Sequence, residues 1–194
     1  MFIVFEGIDG SGKTTQADML YEYLSEKYRC IKTKEPTNSK IGRLVKDILN
    51  KSQNVDPATI QLLFTADRAQ HVEKEIIPAV NEGKIVIEDR YIMSTLAYGI
   101  AAGVSEKGLK MMNSQMPAPN IIFLINIKPE TAMSRLNTAR IHLDAFEKIE
   151  FLKKVTREYM RLAKKAKNCF IIDGSKSKEE INKEIIRIVE AHMK

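Results

Sequence analysis

The sequence predicts an α/β fold, a three-layer doubly wound sandwich built on a five-stranded parallel sheet. Three observations carry that expectation. Short β-branched and aromatic runs alternate with longer amphipathic stretches, the pattern of strands joined by crossover helices. The first run, residues 2–5, stops at a glycine-rich turn that opens directly into a helical stretch. No repeat, low-complexity tract or Pro/Ser-rich linker interrupts the 194 residues, so one domain spanning 1–194 is expected. Because parallel crossovers are right-handed, helices should cover both faces of the sheet, and ligands should bind beyond the carboxyl ends of the strands.

Taken in order, Phe2, Ile3, Val4 and Phe5 form the first strand. Ala17, Leu20, Tyr21 and Leu24 then recur at helical spacing, and a second strand follows at about residues 29–33. Residues 41–49 read as an amphipathic helix. Asp56 before Pro57 offers an N-cap with proline at the first helical position, which predicts a long helix carrying Ile60, Leu63, Phe64, Ile76 and Ile77. Pro78 lacks an N–H and should kink or break that helix near its end. Residues 85–87, 121–127 and 170–172 supply the remaining strands, and the charged stretch 131–166 reads as largely helical.

Composition narrows the classes. Hydrophobic residues at 44% and charged residues at 29% match a chain that buries a sizeable core, which excludes disorder as the main state. The longest apolar runs fall far short of the roughly 20 residues that span a bilayer, and the N-terminus does not read as a secretory signal. A cytoplasmic protein without a membrane partner is expected. Thirty-one Lys and Arg against 25 Asp and Glu give a formal charge of +6, which favours an anionic ligand. The basic residues are scattered among acidic ones, so a small phosphorylated molecule suits them better than nucleic acid. Cys30 and Cys169 lie far apart in apolar segments and are expected to be reduced, buried thiols.

The chemistry is carried by Gly7-Ile8-Asp9-Gly10-Ser11-Gly12-Lys13-Thr14, a glycine, four residues, then Gly-Lys-Thr between a strand and a helix. Glycines there let backbone N–H groups turn inward around phosphate oxygens, and the helix N-terminus adds partial positive charge. Lys13 should reach the β- and γ-phosphates of a nucleoside triphosphate, and the Thr14 hydroxyl should serve Mg²⁺. The same loop serves kinases, motors and GTPases, but no Asn-Lys-x-Asp string occurs and the chain leaves little room for a motor.

Asp89-Arg90-Tyr91 follows the third strand, at the same sheet edge as the loop. Asp89 there can hold a Mg²⁺-bound water or orient Arg90, whose planar fork matches phosphate oxygens. If the acceptor is a phosphate monoester, its second pKa of about 6 leaves it ionised near neutral pH and no general base is needed. A nucleoside hydroxyl would need a carboxylate base, for which Glu35 and Glu88 are the candidates.

At this point the chain resembles the thymidylate kinases, phosphate-loop nucleoside monophosphate kinases that phosphorylate dTMP. The resemblance runs over nearly the whole length. It rests on residues 5–16, including Thr15, on Glu35-Pro36-Thr37, on residues 62–68, and on Asp89-Arg90-Tyr91 with Ser94 and Ala97-Tyr98. It implies ATP as donor, Mg²⁺ as cofactor, and a homodimer. It also implies that Asp9 meets the sugar 3′-hydroxyl, Phe64 stacks on thymine, Arg68 binds a thymine carbonyl, and Tyr98 closes the pocket against a ribose hydroxyl. Phe64 and Arg68 are four apart on one predicted helix, which lets them share a face. Residues 131–147 correspond to the family's lid, where Arg140 would bring a cation to the transferring phosphates because the loop position used by some members is Ser11 here. Arg135 would lie against adenine, near residues 173–176.

Three departures stand out. Thr37-Asn38-Ser39 replaces a frequent Gly-Gly-Thr, Gly99 follows Tyr98 where a polar residue is common, and Ala145 stands where an Arg is often found. Kinases of another monophosphate, a deoxynucleoside kinase and a nucleotide-dependent binding module remain alternatives to a dTMP kinase.

Overall fold

The computed structural model describes residues 1–50, 55–136 and 144–193, with the backbone alone for 144–147. Five strands, β1 (Phe2–Glu6), β2 (Cys30–Lys34), β3 (Ile85–Asp89), β4 (Ile121–Asn126) and β5 (Cys169–Asp173), form one sheet in the order β2-β3-β1-β4-β5. Every pairing is parallel. The connection from β1 to β2 skips a strand, and β3 then returns between them, so the chain turns back on either side of β1. That reversal opens a crevice at the carboxyl end of β1, where the glycine-rich loop lies.

Helices α1 (Lys13–Ser25) and α9 (Lys178–Met193) cover one face of the sheet, over a core that includes Ile3, Phe5, Leu20, Ile87, Phe123 and Ile185. The other face packs Phe2, Val4, Val86 and Leu124 under α5 (Ile92–Ala101) and α8 (Asp144–Ala163). Along β1 the side chains therefore alternate between two apolar cores, which is why the strand reads as an unbroken apolar run. Edge strands β2 and β5 have one neighbour each, and their cysteines differ from expectation for that reason. Cys30 and Cys169 are free but only half-buried. Burial still pushes the Cys169 thiol up to about 12.

The predicted helix from Pro57 is α3 (Pro57–His71), capped by the Asp56 carboxylate, which accepts from the Ala58 and Thr59 amides at 2.9 and 3.1 Å. It continues as a π-helical turn (Val72–Ile76) into α4 (Ile77–Asn81). Pro78 supplies the reason: it has no N–H for the residue four back, and the Ile77 amide bonds instead to the Val72 carbonyl, five residues back. The helix predicted at 41–49 is α2 (Lys40–Asn50), and α6 (Glu106–Met112) and α7 (Pro129–Arg135) complete the described helices. Among the described residues no helix is long and apolar enough to cross a membrane.

Phe123 is fully buried, with ring centroids of Phe5 and Phe170 at 5.3 and 6.1 Å. Phe123→Ala is expected to lower the unfolding free energy by about 3–5 kcal/mol, read as a lower denaturant midpoint with an unchanged slope.

Candidate active site

Three chain segments meet at the carboxyl edge of the sheet because their strands are in register. Phe5 is paired with Asp89, and Asp89 with Lys34. The pairing continues past the strand ends: the Arg90 amide donates to the Phe5 carbonyl at 2.9 Å, and the Glu35 amide to the Asp89 carbonyl at 3.1 Å. The phosphate loop, Asp89-Arg90 and Glu35 thus stand side by side.

The loop is shaped by glycines with no substitute. A Cβ on Gly7, at φ +145°, would lie 2.7 Å from the Ile125 carbonyl oxygen of β4, and one on Gly10, at φ +79°, would lie 2.3 Å from the Ala132 carbonyl oxygen of α7. Inside this loop Lys13 is buried, with Nζ 3.4 Å from the Ile8 carbonyl and 3.6 Å from Asp9 Oδ1. Burial and the nearby Arg90 lower its pKa against the opposing pull of Asp89, Asp9 and Glu6. Ser11 Oγ is buried without a partner among the described residues.

Thr14 Oγ1 donates to Asp89 Oδ2 at 2.5 Å, while Asp89 Oδ1 is buried without a partner among the described residues. A hydroxyl and an unsatisfied carboxylate oxygen, opening into a polar cavity of about 570 Å³, fit a hard divalent cation that takes oxygen ligands.

Arg90 has φ +73°, a left-handed conformation that costs a side-chain-bearing residue about 1–2 kcal/mol. Its surroundings hold it there. Nη2 donates to Asp9 Oδ1 at 2.6 Å, Nη1 to Ser94 Oγ at 3.1 Å, and the guanidinium lies 5.3 Å from the Tyr98 ring centroid. Behind it sits a residue whose role sequence reasoning missed. Glu6 is fully buried, and its carboxylate accepts from the Tyr91 and Ser94 amides, from Ser94 Oγ at 2.5 Å, and from the Tyr159 hydroxyl at 3.2 Å. Burial raises its pKa despite these donors. The signal was a charged residue closing an apolar strand.

Asp9, Glu35, Phe64, Arg68, Arg90, Ser94 and Tyr98, the whole expected acceptor set, line one cavity of about 420 Å³. Phe64 belongs to neither apolar core. Its ring is part of the cavity wall. Arg68 is buried and held by Glu35 through Nε (2.9 Å), and by Thr95 and Asn113 through Nη1 (3.0 and 2.7 Å). Nη2 is 2.7 Å from Glu35 Oε2, which leaves one of the five guanidinium donors without a partner among the described residues. Thr95 and Asn113 were not anticipated, since nothing in sequence spacing brings residue 113 to residue 68. The Tyr98 hydroxyl is buried without a partner among the described residues.

The altered loop at 37–39 is tied down by buried Asp67, which accepts from the Thr37 amide and hydroxyl and the Ser39 hydroxyl at 2.6–2.7 Å. Glu88, one of the two bases considered, is fully buried, and burial with the adjacent Glu35 carboxylate pushes its pKa well above the carboxylate range. It has no route to a substrate hydroxyl. Arg135 Nη2 donates to the Gly174 carbonyl at 3.1 Å, beside the predicted 173–176 loop. Arg140 lies outside the described residues, with the rest of 137–143 in the predicted lid at 131–147.

A family model described as "Thymidylate kinase" matches residues 5–185. The chain is 40% identical to a "Probable thymidylate kinase" of Pyrococcus abyssi, over 97% of this chain and 95% of that protein. It is 43% identical to one of Methanocaldococcus jannaschii, over 96% and 94%, and 42% identical to a "Thymidylate kinase" of Aster yellows witches'-broom phytoplasma, over 93% and 92%.

Burial would raise the Asp9 pKa, but Arg90 and Lys13 outweigh it and hold the carboxyl below its ordinary value. The ion pairs therefore stabilise the protein at and above the unfolded pKa and are lost as pH falls through the lower folded value. The Asp9 side chain is 61% exposed, so the effect is at most about 1 kcal/mol. Urea titrations between about pH 4 and 3 should show wild type losing stability more steeply than Asp9→Asn. Equal slopes would contradict the pairing.

Proposed function

Since the chain belongs to the thymidylate kinase family, we propose that it transfers the γ-phosphoryl group of ATP to dTMP, giving dTDP and ADP, in the following way. The triphosphate lies along the loop from Gly7 to Thr15, with backbone amides and the α1 N-terminus on its oxygens. Lys13 neutralises charge at the transferring group, and dTMP occupies the cavity between Phe64 and Tyr98 with its phosphate toward Arg90. The acceptor oxygen is already ionised, so the chain's task is to hold two anions together rather than to remove a proton.

The observation that carries this reading is Asp9 Oδ1, flanked by Arg90 at 2.6 Å and Lys13 at 3.6 Å. The cation of the acceptor cavity and the cation of the phosphate loop meet at one atom, where the donor and acceptor phosphates would meet. Thr14 and Asp89 would hold Mg²⁺, which would supply charge neutralisation at the donor's phosphates. Asp9 then serves the sugar 3′-hydroxyl as the phosphates draw Lys13 and Arg90. The free Arg68 donor reads a thymine carbonyl while Phe64 stacks on the ring. Tyr98 packs against the sugar. Arg135 lies beside adenine, and Arg140 brings a further cation as residues 131–147 close.

A base-dependent deoxynucleoside reading fares worse, because Glu35 is engaged by Arg68 and Glu88 is sealed in the interior. A homodimer in the cytoplasm belongs to the same proposal; half-exposed Leu44 and Leu62, on adjacent helices α2 and α3, support an apolar contact between copies.

ADP formation with ATP and Mg²⁺ should depend on dTMP, with dUMP, dCMP, dGMP, UMP and thymidine well behind. In Arg90→Ala, turnover with dTMP is expected to fall by at least about 10²-fold while ATP affinity changes little. Collapse of ATP affinity alone would reverse the assignment of the two sites. Tyr98→Ala should reduce discrimination against ribonucleotide acceptors by about tenfold, measured as a ratio of kcat/KM values. An unchanged ratio would mean that the sugar is read elsewhere.

A further inference from the structure

Behind the cavity lies a cluster that joins Glu35 to two buried residues, His71 and Glu88, which the proposed phosphoryl transfer does not use. Glu35 follows β2, His71 ends α3 and Glu88 lies in β3, and one ligand atom from each falls within 4.8 Å of the others. We propose that these three side chains bind one divalent transition-metal ion of the zinc class, at a site separate from Thr14 and Asp89.

His71 Nδ1 stands 3.3 Å from Glu35 Oε1 and 3.9 Å from Glu88 Oε2. Four-coordinate zinc, with bonds of about 2.0–2.2 Å, separates adjacent ligand atoms by about 3.3–3.6 Å, so Glu35 already stands at that distance from His71 and Glu88 would move inward to bind. All three side chains are at most 2% exposed. Neither oxygen of Glu88 has a hydrogen-bond partner among the described residues. A buried carboxylate without a partner is expensive, and Arg68 balances only one of the two carboxylates present.

The imidazole is also set up as a ligand. Its Nε2 is 2.7 Å from Thr33 Oγ1 and 3.4 Å from Glu75 Oε2, so the tautomer with its proton on Nε2 would be held by these oxygens and would offer Nδ1 as a ligand atom. Nδ1 faces the Glu35 and Glu88 carboxylates, so either a proton or a metal cation lies between them, and the proposed ion takes that place. Imidazole with carboxylates suits zinc and its neighbours rather than Mg²⁺. Thr33 and Glu75, the residues beside His71 Nε2, also line the polar cavity that reaches Asp89. An ion here would join α3 to β3 and to the segment after β2. It would fix Glu35, and through Glu35 the guanidinium of Arg68.

The test uses the full chain, stripped with chelator and then dialysed against Zn²⁺, with metal measured by elemental analysis and folding by circular dichroism. Wild type and Asp89→Asn should each hold one zinc per chain at this site. His71→Gln and the isosteric Glu88→Gln should lose it, and Thr33→Val should bind about 10–100-fold more weakly. Co²⁺ in the wild type should give the intense visible bands of a four-coordinate site; this spectrum decides the matter if a variant fails to fold. Zinc retained by both His71→Gln and Glu88→Gln, zinc lost only in Asp89→Asn, a six-coordinate Co²⁺ spectrum, or no bound metal at all would overturn the proposal. The last result would mean that a proton balances the cluster.

Discussion

One buried carboxylate organises this molecule. Glu6 ends the central strand, immediately before the first glycine of the phosphate loop, and it is fully enclosed. It binds the Tyr91 and Ser94 amides at the start of α5, a helix with no side-chain cap of its own from Tyr91. It also binds the Tyr159 hydroxyl on α8. One buried side chain thus locks together the strand that launches the loop, the helix that follows Arg90, and the long helix beyond the predicted lid. The left-handed backbone of Arg90 lies between two of these anchors, and that is how a strained residue keeps one orientation.

Charge is distributed so that attraction operates within the chain until a ligand arrives. Asp9 occupies both Arg90 and Lys13, and Thr14 occupies Asp89. A phosphate is a better partner for the two cations than a 61% exposed carboxylate, since it offers more acceptor oxygens and, at neutral pH, more charge. Binding would therefore exchange one set of ion pairs for another without leaving buried charge unmatched.

The cavity between Phe64 and Tyr98 follows a different logic. Its polar groups are mostly pre-satisfied: Arg68 has partners in Glu35, Thr95 and Asn113, on three separate segments, and stands 5.1 Å from the Tyr91 ring. One donor is left over, framed by apolar and aromatic surface. Rigid placement of a single free donor discriminates better than several mobile ones, because a ligand without the matching acceptor leaves it unpaired in a dry site. The Thr37-Asn38-Ser39 departure leaves this cavity supported, since the Asp67 carboxylate holds the loop.

Fold class, strand positions, the α3 cap and the break before Pro78 were all legible in the sequence, because each is a local matter of periodicity, capping or a missing N–H. The phosphate loop was legible for the same reason, its function being carried by consecutive backbone amides. The residues expected to form the acceptor site, read through motifs close together in the chain, line one cavity. Other features needed the assembled sheet. Cys30 and Cys169 are half-buried because β2 and β5 are edges, and edge position is set by strand order rather than by composition. Phe64 faces a cavity instead of a core, although its helical spacing allows either. Tyr159 reaches Glu6 across 153 residues, Asn113 reaches Arg68 across 45, and Glu35, His71 and Glu88 converge from three elements. Such partnerships are decided by parallel register and helix packing, which bring distant residues within bonding distance, and local sequence carries no record of that distance.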